Sequence, residues 1–211
     1  KGNSVPGLEN AVFGSPVAGK NIDVYNNSEK VMFAWRSPDG IVFEKEFTFS
    51  PDSYLISMTA RVKNGSGRII EDPLAVSLTN YLDGHGAMYG FEGVSGLVDG
   101  SVKEIKPDDI EDEKVVKGEI GWIGIETIYF MNAVVPDEKT VAAMELDAWN
   151  ETGVSNSYVE PPRKIEPGTD ATYEYDVFFG PKSLRLLNGI SNGLEEAVDR
   201  KSTRLNSSHY S

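Results

Sequence analysis

Proton transfer near neutral pH is best served by histidine, and outside its last residues this chain has one. His85 sits in the glycine-rich turn Asp83-Gly84-His85-Gly86. One imidazole cannot act as both the acid and the base of a proton shuttle. Carboxylates are abundant, 33 in all, yet no spacing singles out two of them as a glycosidase-type pair. A nucleophilic serine belongs in a G-x-S-x-G elbow. Gly93-Val94-Ser95-Gly96 fails that pattern, because Leu97 stands where the last glycine is required. No glycine loop of the phosphate-binding type occurs. The acidic run from Lys106 to Glu113 holds Asp108, Asp109, Glu111, Asp112 and Glu113, without the alternating oxygen ligands and sharp-turn glycine of a calcium loop. Cysteine is absent, which removes disulfides and thiolate metal sites. The expectation is a chain that is not an enzyme, with no catalytic residue, metal ligand or cofactor and with no binding residue assigned. Trp35 and Trp149 are the aromatic side chains on which a sugar or peptide could stack.

The net charge is −13. Residues from Asp199 to His209 read like a translated sequencing adapter and are set aside. That stretch carries Asp199 against Arg200, Lys201 and Arg204, a net of +2, so the remainder carries −15. Such a surface argues against nucleic acid, which requires a basic patch, and against lying on anionic headgroups. It suits solubility. A spanning helix needs about 20 apolar residues. The longest apolar stretches, Ile120 to Ile125 and Tyr129 to Val135, are interrupted by Gly121, Gly124 and Asn132. No signal peptide is visible. The first residue is Lys1 and not methionine, so a longer parent chain is expected.

Period-2 alternation dominates the chain. Ile41, Phe43, Phe47 and Phe49 oppose Val42, Glu44, Glu46 and Thr48. After the turn Ser50-Pro51-Asp52, Tyr54, Ile56, Met58, Ala60 and Val62 oppose Ser57, Thr59, Arg61 and Lys63. This spacing predicts a hairpin with one dry and one wet face, closed by the turn Asn64-Gly65-Ser66-Gly67. Leu74, Val76, Leu78 and Leu82 predict a further strand, as do Ala171, Tyr173, Tyr175, Val177 and Phe179 on one shared face. Residues 127–135 are apolar on both sides, which predicts a central strand covered on both faces. Val141 to Leu146 is another. Helix is expected only near the end. Pro181 suits a first helical position, Asn188-Gly189 a stop, and Asn192 with Glu195 a second start. The resulting class is all-β, a sandwich of some 20–198 with short C-terminal helices after a linker or first-strand region at 1–19. A domain of that size buries roughly 70–75% of its unfolded surface and needs no metal to hold together.

Three segments carry a family resemblance. Gly121-Trp122-Ile123-Gly124, running on to Tyr129-Phe130 and Pro136, resembles the glycine–tryptophan, tyrosine–phenylalanine, proline signature of YidC periplasmic domains. Phe178-Phe179-Gly180-Pro181-Lys182, with Leu184, Leu187 and Leu194, is similar to that family's strand-to-helix junction. Phe47-Thr48-Phe49, Asp52-Ser53-Tyr54-Leu55-Ile56 and Asn64 resemble its first hairpin. The resemblance runs from about residue 20 to 198 and stops there. It implies a β-supersandwich of the galactose-mutarotase type, facing the periplasm and anchored in the inner membrane of a Gram-negative bacterium. The implied function is aid to the insertion and folding of inner-membrane proteins. The implied partners are Sec translocon subunits and nascent membrane proteins, met through the full-length protein. Membrane contact is expected only through flanking helices outside this sequence. The alternatives are a carbohydrate- or peptide-binding sandwich module and, through the fold's kinship with aldose epimerases, an enzyme. The latter would need a glutamate with histidines, and only His85 is at hand. Trp122, Tyr129 and Phe130 are expected in the core. Gly180 and Pro181 are expected to turn strand into helix, and the Lys182 side chain to lie in solvent.

Overall fold

The computed structural model describes residues 5–82, 90–150, 152–190 and 193–198. Eleven strands lie among them: β1 (Glu29–Arg36), β2 (Ile41–Phe49), β3 (Leu55–Asn64), β4 (Ala75–Tyr81), β5 (Gly93–Val98), β6 (Ser101–Ile105), β7 (Val115–Glu126), β8 (Phe130–Pro136), β9 (Thr140–Trp149), β10 (Gly153–Val159) and β11 (Asp170–Pro181). One short helix follows, α1 (Leu184–Leu187). Residues 196–198 are also helical. No described helix is long and apolar enough to cross a membrane. The chain is all-β, as its alternation predicts. His85, Asn192 and the tail from Asp199 onward lie outside the described residues.

Two compact units divide the chain. The first comprises the described residues up to Leu74 together with Pro161–Val177. Its strands order as β1-β2-β3 followed by the first part of β11. The predicted hairpin is present, and its register is now defined. Phe43 faces Val62, Phe47 faces Met58 and Phe49 faces Ile56. Met58, Ala60, Val62, Tyr173, Tyr175 and Val177 are buried, so a dry face runs across β3 and β11. The opposite face is laced with cross-strand pairs: Lys30 with Glu46, Lys63 with Glu44 and Ser57 with Asp176. Such exposed pairs add little stability each. Tyr54 departs from the expected pattern. It precedes β3 and is exposed, because the turn places it outside the pleat that fixes its neighbours' direction.

Two turns lock together at the end of this hairpin. Ser37 Oγ accepts the Ile41 N–H and donates to Asp39, whose carboxylate also accepts from Arg68. The Ser37 bond, aided by Arg68, holds the Asp39 carboxyl below the usual aspartate value. Asn64 anchors the facing turn with all its polar atoms engaged. Its Nδ2 donates to the carbonyls of Arg68 and Ile165, and its Oδ1 accepts from Ser66 N and Oγ. Gly40 (φ 93°) and Gly65 approach so closely that a side chain at Gly65 would be driven into the Gly40 carbonyl.

The second unit comprises Ala75–Glu160 with the described residues from Phe178 on. Its strands order as β11-β8-β7-β9-β10-β4, with β5 and β6 reached through a second pairing of β7. β7 changes partners along its length: β9 from Val115 to Ile120, then β8 from Ile123 to Glu126, while β5 pairs from Ile120 to Glu126. Its second half is consequently buried on both sides. Trp122, Ile123, Ile125, Met144, Val154 and Tyr158 form the centre of the core. Asn156 is wholly buried there and donates to the carbonyls of Ser95 and Gly124, tying β10 to β5 and β7. The acidic connection is a surface turn at Pro107–Asp109, pinned by the buried Ile110.

Candidate functional site

The most constrained chemistry lies where β11 passes into α1. The strand alternates through Tyr173, Tyr175 and Val177, all buried. It then changes phase: Phe178 is buried, and Phe179 is 46% exposed. Phe179 therefore does not share the face of the tyrosines as its spacing predicts. The change falls where β11 leaves the first unit for the second, so it meets a new neighbour, β8. Pro181 is the last residue of β11 and not the first of a helix. Sheet pairing continues past it, for Lys182 N donates to the Tyr129 carbonyl at 2.7 Å. The helix starts only at Leu184 and stops before Asn188, the latter as expected.

Lys182 is not solvated. Its Nζ lies 2.7 Å from Glu126 Oε2, and the two side chains are 4% and 1% exposed. A buried ammonium needs such a partner, because leaving water costs several kcal/mol that only a close, hydrogen-bonded counter-charge offsets. Glu126 closes β7. Four residues earlier on the same strand, the fully buried Trp122 donates its indole N–H to the Gly193 carbonyl at 3.1 Å. β7 thus holds the C-terminal segment at two points. Gly124 lies between them, and a side chain there would collide with the Met131 methyl, 2.8 Å from the would-be Cβ. Each motif supplies one side of a two-point clamp: Trp122 of Gly-Trp-x-Gly on Gly193, and Lys182 of Gly-Pro-Lys on Glu126. Glu126 Oε1, Ser95 Oγ and Asn156 Oδ1 are buried with no hydrogen-bond partner among the described residues.

The expectations for Tyr129 and Phe130 are corrected. They are 73% and 57% exposed, because β8 begins only at Phe130 and the turn before it projects outward. From Met131 onward the strand is covered as expected, with only Asn132 half-buried. Trp122 is in the core as expected. Trp35 is half-buried between Phe13 and Phe43, with ring centroids at 6.5 and 6.1 Å. Trp149 packs edge-on to the exposed Tyr81 at 6.1 Å and lies over Gly153. Ser95 lies within the buried strand β5, not on an elbow.

Sequence reasoning missed the partner of Glu126. The signal was present: Glu126 is the one charged residue between Ile120 and Val135, and a lone charge in a run covered on both sides must be paired. Lys45 was missed in the same way. It sits on the dry face of the first unit, opposite Phe33 and Ala60. Its ammonium lies 4.2 Å from the Phe13 ring centroid, and burial pushes its pKa below the usual lysine value. An open groove of about 320 Å³ on the other face is lined by Met32, Glu44, Glu46, Thr59, Arg61 and Lys63. Its cations already meet carboxylates, Lys63 at Glu44 and Arg61 at Asp170. Among the described residues, no cluster of three or more histidine or acidic side chains is placed to hold a metal.

The family model for the YidC periplasmic domain matches residues 2–199. The chain belongs to that family. Curated relatives named membrane protein insertase YidC include those of Geotalea uraniireducens, 30% identical over 82% of this chain, and Syntrophus aciditrophicus, 30% identical over 84%. The chain spans 34% of the length of each. Among solved structures, a GH36 alpha-galactosidase from Geobacillus stearothermophilus overlays with TM-score 0.55 at 8% identity, covering 82% of this chain and 28% of its own. A galactose mutarotase-like protein from Lactobacillus casei gives 0.52 at 11% identity, covering 76% of this chain and 73% of its own. The chain therefore has the β-supersandwich fold of the mutarotase type, and the clamp joins two signature segments by which it resembles its family.

Proposed function

We propose that this chain, with residues 20–198 as its body, is the periplasm-facing domain of an inner-membrane protein insertase. In this reading it docks against Sec translocon subunits or emerging membrane proteins and performs no reaction itself. The family match over residues 2–199 carries the proposal. The clamp at Glu126, Lys182, Trp122 and Gly193 supports it, because a rigid junction fixes the direction in which the chain leaves the sheet. The test is domain exchange: this chain replaces the corresponding part of the Geotalea uraniireducens insertase, with photo-crosslinking side chains at exposed strand positions. Crosslinks to translocon subunits or nascent inner-membrane proteins are expected. A folded domain that crosslinks to neither rejects docking.

A second reading, a carbohydrate- or peptide-binding module, rests on the pair of half-buried Trp149 and exposed Tyr81. Saturable binding of an envelope glycan or peptide, lost in Trp149→Ala, would replace docking with that role.

A further inference from the structure

Residues 127–136 and 177–194 contain no aspartate or glutamate, whereas 33 acids in 211 residues would place about four there at the chain's average density. The first stretch and the described residues of the second from Phe178 on belong to the second unit. β8 pairs with β11, and Lys182 N donates to the Tyr129 carbonyl. They also expose large apolar side chains: Tyr129, Phe130, Phe179, Leu184 and Leu186. Lys182 is turned inward onto Glu126, which leaves the exposed Arg185 as the outward cation of these segments. A strongly acidic protein has thus kept two touching stretches of its sequence free of acid, furnished them with rings and leucines, and left a single outward positive charge beside them, the adjacent Glu126 being buried against Lys182.

The geometry points to a direct contact of this patch with the lipid bilayer, its rings and leucines seated at the boundary between headgroups and acyl chains. Aromatic side chains favour that boundary, and apolar groups edged by a cation bind it without spanning. Exposed acids there would be repelled by phosphate and would lose hydration, and neither stretch carries one. The patch flanks α1, and the curated relatives, about two and a half times as long as this chain, are named membrane protein insertases. The contact rests on the insertase reading and deepens it, adding a bilayer face to the domain itself. Tethering to a membrane would make even weak partitioning effective, because the lipid is then held at high local concentration.

The test is co-flotation of the 211-residue chain with phosphatidylcholine vesicles at millimolar lipid. The expected result is flotation that falls roughly ten-fold in Tyr129→Ser/Phe130→Ser, with the thermal midpoint unchanged because both side chains are exposed. Leu184→Ser/Leu186→Ser provides an independent variant should the first unfold. Absence of flotation, or flotation indifferent to either folded variant, overturns the contact. So does a concentration-dependent dimer abolished by the same substitutions, which would assign the patch to a second copy of the chain. Failure here with crosslinks to translocon or substrate intact removes the lipid contact alone. Loss of those crosslinks with flotation intact removes docking alone.

Discussion

At the scale of single residues, the decisive feature is the pairing of Lys182 with Glu126. Truncating one member of a buried ion pair strands the other, at a cost of about 3–5 kcal/mol. Lys182→Met should therefore lower unfolding free energy by that amount in denaturant titration. Lys182→Met/Glu126→Gln should recover at least half of it, because the stranded charge is gone. A single variant as stable as the parent would show that the pair is not closed in solution. Lys45 gives a prediction with a sign. Burial depresses its folded-state pKa below the 10.5 of the unfolded chain. The folded state therefore sheds the proton first, and the penalty for burying the cation disappears as pH rises through that window. Lys45→Met removes the penalty at all pH values. The variant's advantage in thermal midpoint, measured against the parent, should shrink as pH climbs from neutrality toward 10.5. An advantage that grows with pH would mean that the contact with Phe13 outweighs desolvation.

At the scale of elements, the two turns at Gly40 and Gly65 and the changing partners of β7 decide how strands meet. A Cβ at Gly65 meets the backbone oxygen of Gly40, which cannot swing away as a side chain would. Gly65→Ala should cost about 1–3 kcal/mol, the usual range for overpacking, read as a lower denaturant midpoint. Gly67→Ala in the same turn, where nothing lies within 4 Å, should change it by less than about 0.5 kcal/mol. Equal effects at the two positions would contradict the close approach. The alternation of β3, β4 and the first part of β11 was legible, because each has one face more deeply covered than the other, and that of β2 because its side chains alternate in polarity even though both faces are half-buried. β1, β5, β6, β7 and β10 were not assigned as strands. β5 and the second half of β7 are buried on both faces, so hydrophobic alternation fades. Gly124, read as an interruption, is instead a close-approach position, and so is Gly96.

At the scale of the whole molecule, a net charge of −13 makes self-repulsion a general term against compactness. Salt screens it over about 10 Å at 0.1 M. The thermal midpoint should rise by a few degrees between about 10 mM and 0.3 M sodium chloride. A falling midpoint would show instead that surface pairs such as Lys30–Glu46 and Lys63–Glu44 dominate.

Composition and periodicity determined the class of this protein. Side chains alternating every second residue can bury one face only in a sheet, and three short motifs in order were enough to point to the family. Tertiary structure alone decided which side of each motif faces inward. Lys182, expected in solvent, is sealed against Glu126, while Tyr129 and Phe130, expected in the core, stand outside it. The physical reason is that burial depends on what a strand meets from elsewhere in the chain. Glu126 and Lys182 are 56 positions apart, and no local pattern records that they touch.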